Sequence, residues 1–313
     1  MVDVHTPVRP AGLAQVLADA LDGPGPAGHV ASDRDPLPGL RELLDDAARG
    51  AAAIGGWTDA EPLRLSKHLV TGLLRCPRRA LADDGARSDE IVIGLIVDAA
   101  AKLAATSPRQ PLTLEATLGF LAALGETTVA DHLDSLAGAH DGARPLIDEA
   151  RARLERLADA WPAIDPAWWP RIEEPVRVRL GGGAVTVAGR LDVLLGGPPT
   201  DRPAVVVEVK GGRWYDGMRA DGHLYALLVA LRDGQAPVAA VTVVADGTTQ
   251  VEPIRPSVLD HAADRLVEAI RVAAGLAAGE PPATRPGGHC QHCPVRPDCP
   301  PGLDWRPEPE QRS

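Results

Sequence analysis

Three residues in the middle of the chain have the types and spacing of a hydrolytic site. Asp192 stands near the end of the run AVTVAGRLDVLL, and sixteen residues later Glu208 and Lys210 end the run AVVVEVK as Glu-Val-Lys. Side chains two apart on a strand share a face, so Glu208 and Lys210 point one way and Val207 and Val209 the other. If the two strands are neighbours, Asp192 joins them, and two carboxylates with one ammonium stand at the end of an apolar sheet. Carboxylate oxygens suit Mg2+ or Mn2+, ions that neutralise phosphate charge and lower the pKa of a bound water, and an adjacent ammonium positions or stabilises that nucleophile. This is the chemistry of phosphodiester hydrolysis. Taken alone, Glu and Lys two apart are usually a solvated surface pair. The apolarity of AVVVEVK argues against a solvated edge, because buried charges have to be paired or to coordinate a metal.

Residue usage sharpens the reading of Lys210. Of 32 basic residues only Lys67, Lys102 and Lys210 are lysine. An ammonium is a compact, titratable point charge and a guanidinium is neither, so a lysine that persists in such a chain points to chemistry that arginine does poorly. Lys210 has that context, whereas Lys67 and Lys102 read as surface accidents.

The four cysteines, Cys76, Cys290, Cys293 and Cys299, form a second group. The N-terminus, MVDVHTPVRP, has no basic segment leading into an apolar one, so no secretory signal is expected and the expected compartment is the cytoplasm. In a reducing compartment such cysteines are metal ligands or free thiols rather than disulfides. Apolar runs fall well short of the roughly 20 residues that span a bilayer, so no membrane partner is expected.

The elements that must position these groups change period along the chain. Residues 1–60 carry Gly/Pro-rich stretches such as DGPGPAG, with weak helical patches at Leu13–Leu21 and Leu40–Ala53, and are expected to be a loosely attached N-terminal region. Apolar spacing predicts a helix over Leu63–Ala82, broken by Pro77 just after Cys76, and a stronger helix over Ser88–Leu103 capped by Ser88. Residues 111–160 read as further helices, expected to be an insertion. PVRVRL, a Gly181–Gly183 turn and AVTVAGRLDVLL then read as a hairpin, and AVVVEVKGG as a central strand. A helix over Asp216–Leu231, a buried strand PVAAVTVVAD, an edge strand TTQVEPI and a long helix over Pro256–Ala278 follow. The class is α/β, a mixed central sheet flanked by helices, with a helical N-terminal part and a cysteine-rich C-terminal tail.

The motif Gly189-Arg190-Leu191-Asp192 with Glu208-Val209-Lys210 resembles that of the PD-(D/E)XK nucleases, whose fold is the restriction-endonuclease-like one. On the following helix, Asp221-Gly222-His223-Leu224-Tyr225 looks like the Gln-x-x-x-Tyr element of the RecB-like branch, with Tyr225 matching as a catalytic-site residue and Asp221 standing where Gln is usual. The cysteine layout is the more specific feature. Cys76 lies in Leu-Arg-Cys-Pro-Arg-Arg ahead of the motif, and Cys290-x2-Cys293-x5-Cys299 follows it. This is similar to the iron-sulfur nucleases of the CRISPR-associated exonuclease family and of bacterial recombination helicase-nucleases, and implies a 4Fe-4S cluster on these four cysteines. Zinc completed by His289 or His292 is the competing reading, free thiols a third. The same branch carries a Gly-x-x-x-His pattern whose His is a metal ligand. Gly94-Leu95-Ile96-Val97-Asp98 puts an Asp at that point, which implies an all-oxygen site of Asp98, Asp192 and Glu208 for Mg2+ or Mn2+.

The resemblance implies a nuclease domain over residues 61–303, with 304–313 as a tail, and a Mg2+/Mn2+-dependent exodeoxyribonuclease acting on single-stranded or end-bearing DNA. Its role would lie in DNA repair and recombination or in CRISPR adaptation, with a separate helicase or adaptation protein as partner. A net charge of −11 argues against bulk coating of nucleic acid. A local phosphate track of Arg75, Arg78, Arg79, Arg213 and Arg219 is the expectation, against ordinary solvated arginines. The alternative function is a catalytically inactive iron-sulfur or zinc protein that binds nucleic acid or scaffolds a complex on the same fold.

Overall fold

The β-branched run Val205–Lys210 cannot be a solvated strand, and it becomes the middle of a sheet. The computed structural model describes residues 10–23, 37–82, 88–136 and 142–306. In chain order the elements are α1 (Pro10–Leu21), α2 (Leu37–Gly55), β1 (Leu63–Ser66), α3 (Lys67–Arg75), α4 (Pro77–Ala80), α5 (Asp89–Thr106), α6 (Leu114–Ala123), α7 (Thr128–Leu136), α8 (Arg144–Ala160), β2 (Arg171–Leu180), β3 (Val185–Leu195), β4 (Val205–Lys210), α9 (Arg219–Asp233), β5 (Ala239–Val244), β6 (Thr249–Pro253), α10 (Pro256–Ala277) and α11 (Pro300–Asp304). The strand order is β1-β3-β4-β5-β6, with β2 also pairing β3. β4 runs antiparallel to β3 and parallel to β5, and β5 antiparallel to β6, so the sheet is mixed and the class is the expected α/β.

The chain divides into two compact units. The first takes the described parts of residues 1–37, 87–176 and 190–259, the second those of 38–86, 177–189 and 260–313. The core of the first gathers Leu13, Leu17 and Leu21 of α1, Val92, Ile96 and Ala100 of α5, Leu154 and Leu157 of α8, and alternate residues of the strands: Val193 and Leu195, Val205, Val207 and Val209, Val241 and Val243. Each such Val or Leu contributes about 1.5–3 kcal/mol by leaving water. The expectation of a loosely attached N-terminus does not describe α1, whose apolar stripe lies in this core. Nor does it describe α2, where Leu40, Leu44, Ala48 and Ala51 are buried at helical spacing.

Two local outcomes shape the rest. Leu63–Ser66, expected as helix, is a short strand paired in parallel with Val185–Ala188. Helix α3 starts only at Lys67, where the Ser66 side chain accepts a hydrogen bond from the Leu69 amide. Four residues are too few for period two to be told from a helical pattern. Helix α5 begins where expected, with the Ser88 hydroxyl accepting from the Ile91 amide and Asp89 and Glu90 in the first turn. It passes close to the end of β4: a Cβ on Gly211 would lie 2.6 Å from the Gly94 Cα, so glycine is required at 211. No helix among the described residues is long and apolar enough to cross a membrane.

Candidate active site

Alternation along β4 sorts its side chains. Val205, Val207 and Val209 enter the core, which leaves Glu208 and Lys210 together on the other face. Val193 on β3 is opposite Val207, and Asp192 and Glu208 are the next residues along each strand. Asp192 Oδ2 accepts a hydrogen bond from the Val209 amide at 2.7 Å. Lys210 Nζ donates to Glu208 Oε2 at 3.1 Å and to Asp221 Oδ2, on α9, at 2.6 Å. Glu208 is 0% exposed. The structure therefore brings Asp192, Glu208 and Lys210 together, and adds Asp221. Where the resemblance has Gln, this chain has a carboxylate, and that carboxylate holds the lysine. Burial alone would favour a neutral Lys210, but the charges of Glu208 and Asp221 outweigh it and push its pKa far above the ordinary lysine value. Lys210 is thus held by two carboxylates, one from β4 and one from α9.

Tyr225 lies one turn beyond Asp221 on α9, on the same face. Its hydroxyl donates to the Arg190 carbonyl at 2.6 Å, two residues ahead of Asp192 on β3. Burial, with the charges of Glu208 and Asp192, raises its pKa well above the ordinary tyrosine value. Tyr225, expected as a catalytic residue, is bonded in this geometry to the strand that carries Asp192.

Asp98 lies on α5 with a partner that sequence reading missed. Lys102, one turn further on and expected as a surface accident, is 5% exposed. Its Nζ contacts Asp98 Oδ2 and Glu173 Oε1, and Glu173 Oε2 accepts from Arg190 Nη1 at 3.2 Å. Asp98 Oδ1 is buried with no hydrogen-bond partner. Burial raises the Asp98 carboxyl pKa more than Lys102 lowers it, and the charges of Glu173 and Glu208 add to the rise. The i, i+4 spacing of Asp98 and Lys102 on an apolar helix was the available signal.

Five carboxylates (Asp98, Glu173, Asp192, Glu208 and Asp221) thus share this region with two ammoniums. Excess negative charge in a largely buried place is costly unless a cation compensates it, and an all-oxygen donor set suits Mg2+ or Mn2+. By charge and donor type Asp98, Asp192 and Glu208 fit such an ion. No three His, Cys, Asp or Glu side chains among the described residues stand as a ready-made metal cage. Here the carboxylates engage ammonium groups and the Val209 amide instead.

In the second unit, all four cysteines line one small pocket with Arg78, His289 and Gly302. Pro77 sets Cys76 at the junction of α3 and α4, and Cys290 and Cys299 lie in the short turns of the tail. No disulfide joins them, and only Cys293 is more than slightly exposed. The Gly287 amide donates to Cys290 Sγ at 3.4 Å. A Cβ on Gly302 would come within 3.2 Å of Cys299 Sγ and 3.7 Å of Cys290 Sγ, so a side chain there would press on the sulfurs. His289 Nε2 is buried with no hydrogen-bond partner. Burial and the charges of Arg75 and Arg79 lower the His289 pKa.

The expected arginine track divides. Arg78 donates one guanidinium N–H to the Asp298 carbonyl at 2.6 Å, and its amide bonds the Ala283 carbonyl, so it also ties the cysteine-rich tail to α4. Arg219 lies over the Trp214 ring, 5.6 Å from its centroid. Arg75 and Arg213 are exposed, and Arg79 is half-buried. Arg213 also lines a cleft of about 750 Å³ with Arg153 and Arg156, neither of which sequence reading singled out. Those two are joined to Glu149, and Arg153 also to Glu90, so the cleft is of mixed charge.

Comparison with known proteins completes the description. The family model of the PD-(D/E)XK nuclease superfamily matches residues 64–300. No curated protein matches the chain. Among solved structures, that of SSO0001 is similar at 15% identity and a TM-score of 0.33, over 83% of this chain and 94% of the other. A candidate exonuclease from Eubacterium rectale is similar at 12% identity and a TM-score of 0.45, over 79% of this chain and 90% of its own. The family match spans most of the sequence and contains the motif residues on β3 and β4, and on that ground the chain belongs to the PD-(D/E)XK nuclease superfamily.

Proposed function

We propose that this chain is a Mg2+- or Mn2+-dependent exodeoxyribonuclease that hydrolyses phosphodiester bonds in single-stranded or end-bearing DNA. The observation that supports it best is the buried Glu208 and Lys210 pair beside Asp192, at the end of strands whose other face is wholly apolar. A divalent ion held by Asp98, Asp192 and Glu208 supplies charge neutralisation and an acidified water when bound. The chain's own groups do the rest. Lys210, fixed between Glu208 and Asp221, is a permanent positive charge beside the attacked phosphate, and the Val209 amide and Tyr225 hold Asp192 in place through β3 and β4. Within the first unit, exposed Arg213 is the arginine of the expected track that contacts phosphate. The test is cleavage of end-labelled single-stranded and duplex DNA by anaerobically purified protein: activity with Mg2+ or Mn2+ that chelator removes supports the reading, and inactivity with both ions on every substrate overturns it in favour of a scaffold.

For the second unit we propose a 4Fe-4S cluster on Cys76, Cys290, Cys293 and Cys299, supported by the common pocket and the side-chain-free position at Gly302. The buried Nε2 of His289 on that pocket favours the second reading, zinc. Brown protein with iron and sulfide near four per chain is expected, and colourless protein carrying one zinc overturns the cluster. The inferred setting is DNA repair, recombination or CRISPR adaptation beside a separate helicase or adaptation protein, a reading that rests on family resemblance.

A further inference from the structure

Arg190 lies outside the expected arginine track, and what it does rests on the DNA-cleaving reading just given. Four charges alternate along a path out of the acidic region: Asp98, Lys102, Glu173 and Arg190. Side-chain exposure along it rises from 6% at Lys102 through 37% at Glu173 to 73% at Arg190, so the path starts in the protein and ends in water. Glu173 is held firmly in the middle. Its φ is +51°, the left-handed region, which a residue with a side chain adopts only where its surroundings hold it. One of its carboxylate oxygens engages the buried Lys102 ammonium, and the other accepts from Arg190 Nη1 at 3.2 Å. The Arg190 carbonyl in turn accepts from the Tyr225 hydroxyl at 2.6 Å. Arg190 is thus held at its backbone and at one edge of its guanidinium, while most of its side chain stays in solvent.

As a surface ion pair, Arg190 and Glu173 would add little to stability. What the arrangement supplies is a donor group aimed in advance. The bond to Glu173 uses one of five guanidinium N–H donors, and a planar guanidinium matches two oxygens of a phosphate. Arg190 precedes Asp192 by two residues on β3, so both side chains leave the strand on one face. A DNA strand brought to Asp192 and Glu208 carries its phosphates past carboxylates that repel them, and a guanidinium at the rim offsets that repulsion. We propose that Arg190 binds a backbone phosphate of the DNA strand beside the phosphate that is cut, and that Glu173, locked by Lys102, is the positioning residue that aims it. The chemistry recognised is the phosphodiester anion, so the contact is blind to base sequence.

The experiment is equilibrium binding of a fluorescently labelled single-stranded oligonucleotide to the full chain, followed by anisotropy over a range of salt. Ca2+, which also takes oxygen ligands, serves as the divalent ion, and the oligonucleotide is checked for integrity afterwards. Arg190→Gln is expected to bind about tenfold more weakly on every sequence and to flatten the salt slope by about 0.7, the loss of one single-strand phosphate contact. Arg190→Lys keeps the charge without the fork, so it is expected to restore the slope but only part of the affinity. Glu173→Ala frees the guanidinium and is expected to weaken binding with the slope unchanged. Wild-type affinity and slope in Arg190→Gln, whatever its melting temperature, overturn the inference and leave the nuclease reading standing. A wild type that binds no DNA overturns both.

Discussion

The oxygen-rich region of the first unit and the sulfur-lined pocket of the second solve opposite problems. Around β4 the chain crowds like charges together and then offsets them with Lys102 and Lys210, so its state depends on electrostatics. Around Cys76 the chain gathers four sulfurs from positions more than 200 residues apart in the sequence, and what they do depends on connectivity. On the proposed reading the first serves chemistry and the second holds the chain together. Damage to one is therefore expected to leave the other readable.

The largest effect that would break this contrast concerns Cys76. It is the remote ligand, and losing it frees the longest loop the proposed cluster closes. Cys76→Ala is expected to lower stability by about 4 kcal/mol, on the scale of closing a very long loop. That corresponds to a melting temperature lower by roughly 10 °C. Protein that melts unchanged but loses nuclease activity would show that the pocket serves chemistry.

A smaller effect is expected at Asp98. Asp98→Ala should cut Mg2+-dependent cleavage by about 10²-fold, the scale of losing one well-placed electrostatic group. Asp98→His should recover part of the rate with a shift in preference towards Mn2+, because imidazole suits the softer ion. Wild-type rates in Asp98→Ala would show that α5 supplies no ligand. The smallest effect belongs to Tyr225→Phe, which removes one hydrogen bond to Arg190 and should cost about 1 kcal/mol of stability. Activity is expected to fall no more than about tenfold, one RT-scaled kcal/mol or so. A collapse of kcat with stability intact would instead make the hydroxyl a participant in the reaction.

What could be read from the sequence follows how local the signal was. Glu208 and Lys210 were legible because period two on a strand puts them on one face whatever the rest of the fold does. Asp192 needed only that consecutive strands pair, which β3 and β4 do. The cysteines were legible as a group through their spacing in the tail. Lys102 was legible only in half, through its i, i+4 spacing from Asp98, because its other partner Glu173 lies 71 residues away on β2 and no local pattern announces a long-range ion pair. The hydrogen bond of Arg78 to the tail, 220 residues on, was out of reach of any local pattern for the same reason. The strand β1 was taken for helix because four residues carry too little periodicity to decide.

The central claim, that the β3 and β4 residues form a nuclease site, is tested most directly by Glu208→Ala and Lys210→Ala assayed for Mg2+-dependent release of nucleotides from end-labelled DNA. Both variants are expected to lose cleavage by about 10²–10³-fold. Their circular dichroism and iron content should match the wild type, since neither residue touches the second unit's pocket. Full activity in either variant would contradict the account.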